Sequence, residues 1–259
     1  MGAETKSLAT SRKNLFLHIG THKTGSTSIQ HFLKDHIAEL KNRDFDLYRG
    51  NIKSTNHIEI YLSSMRPLRD SFAKQKFKIN IDNQFVEDTA QRVQHFIATS
   101  RFSNIVFTAE GLSLLRFRDE IERLRYVLGA DSHDITIILI TREPVEFLES
   151  LKKQILKVPN RALSRDPESV FYVEPDSWLA DFTTLKSLYI DGFGRSSLVN
   201  IDYDYALERD GNILPSFLEV LGLDSADFSD AGKYWKNQSG RKIGGSARIQ
   251  SFVRKLVGF

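Results

Sequence analysis

Asp134 to Thr141 reads Asp-Ile-Thr-Ile-Ile-Leu-Ile-Thr, an almost unbroken run of β-branched and apolar residues. A strand with one wet face alternates apolar and polar residues. A run that does not alternate has both faces covered, which is the condition of a central strand in a parallel sheet. The surrounding pattern supplies the covering layers. Asn14 to Gly20 reads as a first buried strand, and Ser26 to Leu40 carries Ile29, Phe32, Leu33, Ile37 and Leu40 at helical spacing. Helices are expected over Phe85–Ser100, Ile121–Leu128, Val145–Lys157, Ser177–Ile190 and Ile213–Leu221, and strands over Asn104–Ala109 and Ser197–Tyr203. Strands alternating with helices predict an α/β fold of three layers, a parallel sheet with helices on both faces.

The remaining segments set the domain limits. Residues 1–13 are polar and read as a flexible tail, and 14–259 as one domain. Val158 to Asp176 holds Pro159, Pro167 and Pro175 and reads as a long loop or lid. A last helix is expected over Ser246–Val257. The chain has 259 residues and no cysteine, which excludes a disulfide scaffold, thiolate metal sites and a cysteine nucleophile. The net charge of +3 suits an anionic ligand and falls short of a nucleic-acid coat. No apolar run reaches the roughly 18 residues of a membrane span, and no signal-peptide pattern opens the sequence. A cytoplasmic protein without an integral membrane segment is expected.

The loop after the first strand reads Gly20-Thr21-His22-Lys23-Thr24-Gly25-Ser26-Thr27-Ser28. Strand, glycine loop and helix N-terminus together form a P-loop-like anion cradle, where unpaired N–H groups and the positive helix end converge. The glycine spacing matches the nucleoside-triphosphate loop. Its lysine does not: Ser26 occupies that place, and Lys23 lies inside the loop. A second cation, Arg142, ends the apolar strand. Pro144 and Ser150 follow it, Ser150 two helical turns on. Ligands of open parallel sheets bind beyond the C-terminal strand ends, which aims Arg142 at the same crevice.

These residues resemble the sulfotransferases that use 3′-phosphoadenosine 5′-phosphosulfate as sulfuryl donor, with a flavour of the glycan sulfotransferases. Lys23-Thr24-Gly25-Ser26-Thr27 is similar to their 5′-phosphosulfate loop, and Arg142, Pro144 and Ser150 to their 3′-phosphate site. Ser197–Leu207 and Ile213–Leu223 look like their late strand and helix, so the resemblance spans Asn14 to about Leu223. It implies that Lys23 stabilises the sulfuryl group and leaving oxygen. It implies that residues Thr24 to Thr27 hold the 5′-phosphate, and Arg142 and Ser150 the 3′-phosphate. It also implies no metal, with 3′,5′-adenosine bisphosphate as product.

A hydroxyl acceptor needs a base. Glu110, just past the strand Asn104–Ala109, leads, and His22 is the rival. The late cluster Lys233–Lys242 supplies Lys236, Ser239, Arg241 and Lys242 as further donor-binding candidates, with Trp235 for the adenine. Lys152, Lys153 and Lys157 either draw an anionic acceptor or form a solvated face. The expected acceptor is a carbohydrate or another small molecule, through a hydroxyl or an amine. A P-loop kinase or NTPase needs an acid at a strand end for Mg²⁺, and Asp202 is a weak substitute. A non-catalytic nucleotide-binding module is the third reading.

Overall fold

The computed structural model describes residues 12–228 and Tyr234. Trp235, Lys236, Ser239, Arg241, Lys242 and the helix expected over Ser246–Val257 lie outside the described residues. The chain forms β1 (Asn14–Gly20), α1 (Ser26–Asp35), α2 (Ile37–Asn42), β2 (Phe45–Leu47), α3 (Ile58–Ser64), α4 (Phe72–Phe77) and α5 (Asn83–Thr99). It continues through β3 (Asn104–Thr108), α6 (Arg118–Leu128), β4 (Asp134–Thr141), α7 (Pro144–Leu156), α8 (Phe182–Phe193), β5 (Leu198–Asp202), α9 (Tyr203–Asp210) and α10 (Leu214–Val220).

The five strands make one parallel sheet in the order β2-β3-β1-β4-β5. Alternate residues of each strand face opposite layers. Leu15, Leu17, Ile19, Ile105, Phe107, Ile137 and Leu139 pack against Val93 of α5, Leu124 of α6, Leu151 of α7 and Tyr189 of α8. Val106, Ile138, Ile140 and Ile201 pack against Ile29 and Phe32 of α1 and Phe217 of α10. Both faces are covered, as the unbroken apolar run of β4 requires. Leu17 and Ile138 are fully buried, and truncating such a side chain to alanine costs about 2–5 kcal/mol.

Several local expectations are corrected. The helix read over Ser26–Leu40 breaks at His36, whose buried ring stacks on Phe32 at 4.4 Å. The helix read from Ser177 starts as a 3-10 turn, Trp178–Ala180; α8 begins at Phe182, where Asp181 caps the Thr184 N–H. Arg12 and Lys13, read as the end of the tail, are anchored to the fold. Lys13 is buried and donates to the carbonyls of Ser100 (3.1 Å) and Phe102 (2.9 Å), while Arg12 pairs with Asp134 at 2.8 Å. Residues 157–177 carry no helix or strand. No helix among the described residues is long and apolar enough to cross a membrane.

Candidate functional site

The strand order decides the neighbours of the glycine loop. Because β1 lies between β3 and β4, its C-terminal loop is flanked by the residues that follow each of them. Gly20 and Gly25 both adopt left-handed backbone, at φ 67° and 82°. A Cβ on Gly20 would lie 3.3 Å from Glu110 Cγ, and one on Gly25 only 2.8 Å from Ile213 Cγ2. Both positions favour glycine for conformation, and Gly25 also lacks room for a Cβ unless Ile213 shifts. Lys23 also sits at φ 67°, a region uncommon for a residue with a side chain.

The loop is braced from within. Thr21 Oγ1 donates to the Ile140 carbonyl at 3.0 Å, Thr24 Oγ1 to the Thr21 carbonyl at 2.7 Å, and Ser26 Oγ to the same carbonyl at 3.4 Å. The hydroxyls of Thr24 and Ser26 thus hold the loop's shape, and both residues are buried. Lys23 and Thr27 are exposed. No side chain caps α1, and its first turn holds no acidic residue. By contrast, α5, α7, α8 and α9 are each capped by a carboxylate. The N-terminus of α1 keeps the positive end of its dipole without a neutralising acid.

On the β3 side, Glu110 opens the short 3-10 helix Glu110–Leu114. Its Oε2 lies 3.2 Å from His22 Nδ1, while Oε1 accepts from Asn56 Nδ2 at 3.4 Å and from Gln30 Nε2 at 3.5 Å. The two rival bases are therefore one hydrogen-bonded pair, with side chains 16% and 17% exposed. Burial pushes the Glu110 carboxyl up. The hydrogen bond from His22 and the charges of His22, His18 and Lys53 outweigh that effect and hold it below the usual carboxylate range. His22 Nε2 has no partner among the described residues, and its ring meets Phe72 edge-on at 5.4 Å. Below the pair, His18 is fully buried against Phe217, and burial lowers it to about 4.

On the β4 side, Arg142 is held rather than open. Its Nη2 donates to Glu146 Oε2 at 2.8 Å and lies 3.9 Å from Asp204 Oδ1; Nη1 donates to the Lys23 carbonyl at 3.4 Å. Its guanidinium lies 5.4 Å from the Tyr203 ring, and Nε is buried without a partner among the described residues. Ser150 lies half-buried one turn beyond Glu146 on α7. Lys152, Lys153 and Lys157 are exposed, and Lys153 reaches Glu149 at 4.0 Å, which fits a solvated face.

The structure thus gathers His22, Lys23 and Glu110 around one loop, with Arg142 on its other flank. Sequence reading missed Gln30, Asn56, Phe72, Glu146 and Asp204. Only Glu146 carried a local signal, its i,i+4 spacing from Arg142. Among the described residues no group of histidine and carboxylate side chains has the arrangement of a metal site.

No protein-family model and no curated protein sequence matches this chain. Solved structures do. A sulfotransferase from Alicyclobacillus acidocaldarius superposes with a TM-score of 0.54 at 15% identity, over 83% of this chain and 82% of that one. The fold is sulfotransferase-like. Two more sulfotransferase domains are similar at lower TM-scores. One, from the curacin biosynthetic pathway, has a TM-score of 0.41 and 13% identity, over 93% of this chain and 82% of its own. The other, from the Synechococcus PCC 7002 olefin synthase, has a TM-score of 0.44 and 13% identity, over 93% and 84%. In this sulfotransferase-like fold the glycine loop follows the central strand of the sheet.

Proposed function

We propose that the chain is a sulfotransferase that moves a sulfuryl group from 3′-phosphoadenosine 5′-phosphosulfate to a hydroxyl or amine of a carbohydrate or other small acceptor. The observation that carries this reading is the His22–Glu110 pair, held against a lysine-bearing anion loop at the end of the central strand. The residues present fit the donor. The uncapped start of α1 and Lys23 suit a phosphosulfate. The unpartnered Arg142 Nε and the nearby Ser150 suit a 3′-phosphate.

In the proposed step, the acceptor oxygen attacks sulfur in line, and the bond between sulfur and the bridging oxygen breaks. The proton of the acceptor hydroxyl passes to the His22–Glu110 pair. Glu110 orients His22 through Nδ1 and leaves Nε2 to receive the proton. Gln30 and Asn56 fix the second carboxylate oxygen. The Lys23 ammonium offsets the charge that grows on the leaving oxygen. Adenosine bisphosphate leaves, and the sulfated acceptor follows.

The acid named for a kinase reading, Asp202, is poorly placed for it. Asp202 ends β5, two strands from β1, and its carboxylate already caps α9 through the Tyr205 N–H at 2.9 Å. The test is thermal melting with 3′,5′-adenosine bisphosphate against ATP with Mg²⁺. Ligand at about 100 times Kd stabilises by about 2.7 kcal/mol, roughly 5–10 °C at this chain length. A shift with the bisphosphate alone is the expected result. A shift with ATP and Mg²⁺ alone would overturn the reading.

A further inference from the structure

The segment between α7 and the turn Trp178–Ala180 is long, irregular and yet anchored. Val170, Phe171 and Val173 are buried in the core beneath it. The Ser164 N–H donates to the Phe171 carbonyl at 3.0 Å, which closes the segment on itself. Its start is fixed too. Asn160 takes left-handed backbone at φ 64°, directly after Pro159, and the Arg161 N–H donates to the Val158 carbonyl at 3.2 Å. This turn reverses the chain as it leaves α7 and delivers Arg161 to a defined place.

That place is an aromatic clamp. The Arg161 guanidinium lies 5.7 Å from the ring centre of Phe72 and 5.7 Å from that of Phe171. The two rings meet edge to face at 5.0 Å. Phe72 is also the ring that meets His22 at 5.4 Å, so the guanidinium stands one phenyl ring from the proposed base. Among the described residues, no carboxylate comes within ion-pair distance of Arg161, whereas Arg66, Arg69, Arg116 and Arg142 each pair with an acid. Rings can hold the flat guanidinium in position while its N–H groups keep their hydrogen-bonding capacity. A positioned, unpaired fork suits an oxyanion bidentately. Lys157 and Arg165 are exposed nearby in sequence and carry the same sign.

We propose that Arg161 binds an anionic group of the acceptor, so that the preferred acceptor carries a carboxylate or phosphate about one ring away from the reacting hydroxyl. This rests on the sulfotransferase reading and adds a substrate class to it.

The experiment measures melting of the full chain saturated with 3′,5′-adenosine bisphosphate. 4-Nitrophenyl β-glucoside, the matching β-glucuronide and the matching glucoside 6-phosphate are each added as probes. The two anionic probes should raise the midpoint above that with bisphosphate alone, and the neutral glucoside should not. The size of the two increments ranks carboxylate against phosphate. The increment should vanish in Arg161→Ala and Arg161→Gln and survive in part in Arg161→Lys. The response to bisphosphate alone should be unchanged in all three, which shows that they fold and bind donor. Equal increments from neutral and anionic probes, no increment from either anion, or an increment that persists in Arg161→Ala would each overturn the proposal. If the wild-type chain ignores the bisphosphate, the donor reading falls. An Arg161-dependent response to the anionic probes would still sustain the anion site.

Discussion

The two flanks of the glycine loop use the same kinds of group in opposite arrangement. Toward β3 the central charge is a carboxylate, Glu110, surrounded by His22, Gln30 and Asn56. Toward β4 it is a guanidinium, Arg142, surrounded by Glu146, Asp204 and the Lys23 carbonyl. Both central side chains are largely covered, at 17% and 14% exposure. A covered charge must be paired, and each flank supplies partners to its own central group. The difference lies in what is left over. On the β3 flank His22 Nε2, and on the β4 flank Arg142 Nε, has no partner among the described residues. One loop thus separates a flank centred on a carboxylate from a flank centred on a guanidinium.

That division is open to attack at its centre and on each flank. Lys23→Ala removes the cation between the two sides. Turnover, read as bisphosphate release, should fall by about 10²–10³-fold, while the melting shift with adenosine bisphosphate persists. Full turnover in this variant would end the assigned role. Glu110→Gln keeps the shape of the β3 flank and removes its charge. kcat should drop by about 10²-fold, with the bisphosphate shift unchanged. Because the Glu110 carboxyl is held low in the folded chain, its stabilising contribution is present above the ordinary carboxylate pKa. That contribution is lost as pH falls through the folded value. The acid melting profile of the variant should lack this loss.

Arg142→Ala strikes the opposite flank. Binding of adenosine bisphosphate should weaken by about 10–100-fold, the worth of a hydrogen bond to a charged group, and binding of adenosine 5′-monophosphate should change little. Equal weakening of both nucleotides in titration calorimetry would mean that Arg142 does not read the 3′-phosphate. An effect on stability rather than turnover or binding concerns His18, beneath the β3 flank. Its folded pKa is depressed to about 4, so between about pH 6.5 and 4 the unfolded chain takes up a proton that the buried ring does not. Stability should therefore decline as pH falls through that window, by at most about 1.4 kcal/mol per pH unit for this residue. His18→Leu should flatten the decline in a pH series of melts. An unchanged slope would place the acid sensitivity elsewhere, with His57, which burial lowers to about 3, as the next residue to test.

Much of the architecture was legible because its signals are local. β4 announced itself as a run without alternation, and α5 and α6 as stripes at helical spacing. α3 escaped because all seven of its residues are buried, which erases the stripe on which periodicity depends. β2 has only three residues and exists through its pairing with β3. The site divides in the same way. Lys23, Gly25 and Arg142 stand in short motifs that are visible in the sequence itself. Gln30, Asn56, Phe72 and Asp204 meet the candidate site residues Glu110, His22 and Arg142 across 50 to 80 positions of chain, and no local pattern marks them.

The sequence by itself determined the parallel sheet, the glycine loop after its first strand and the cation at the end of its fourth, because these follow from backbone geometry and near-neighbour periodicity. It named Glu110 and His22 as rivals. Only the strand order β2-β3-β1-β4-β5 made them partners. Crossover packing sets that order, and residues 88 positions apart in the chain meet at 3.2 Å because β3, not β2, lies beside β1.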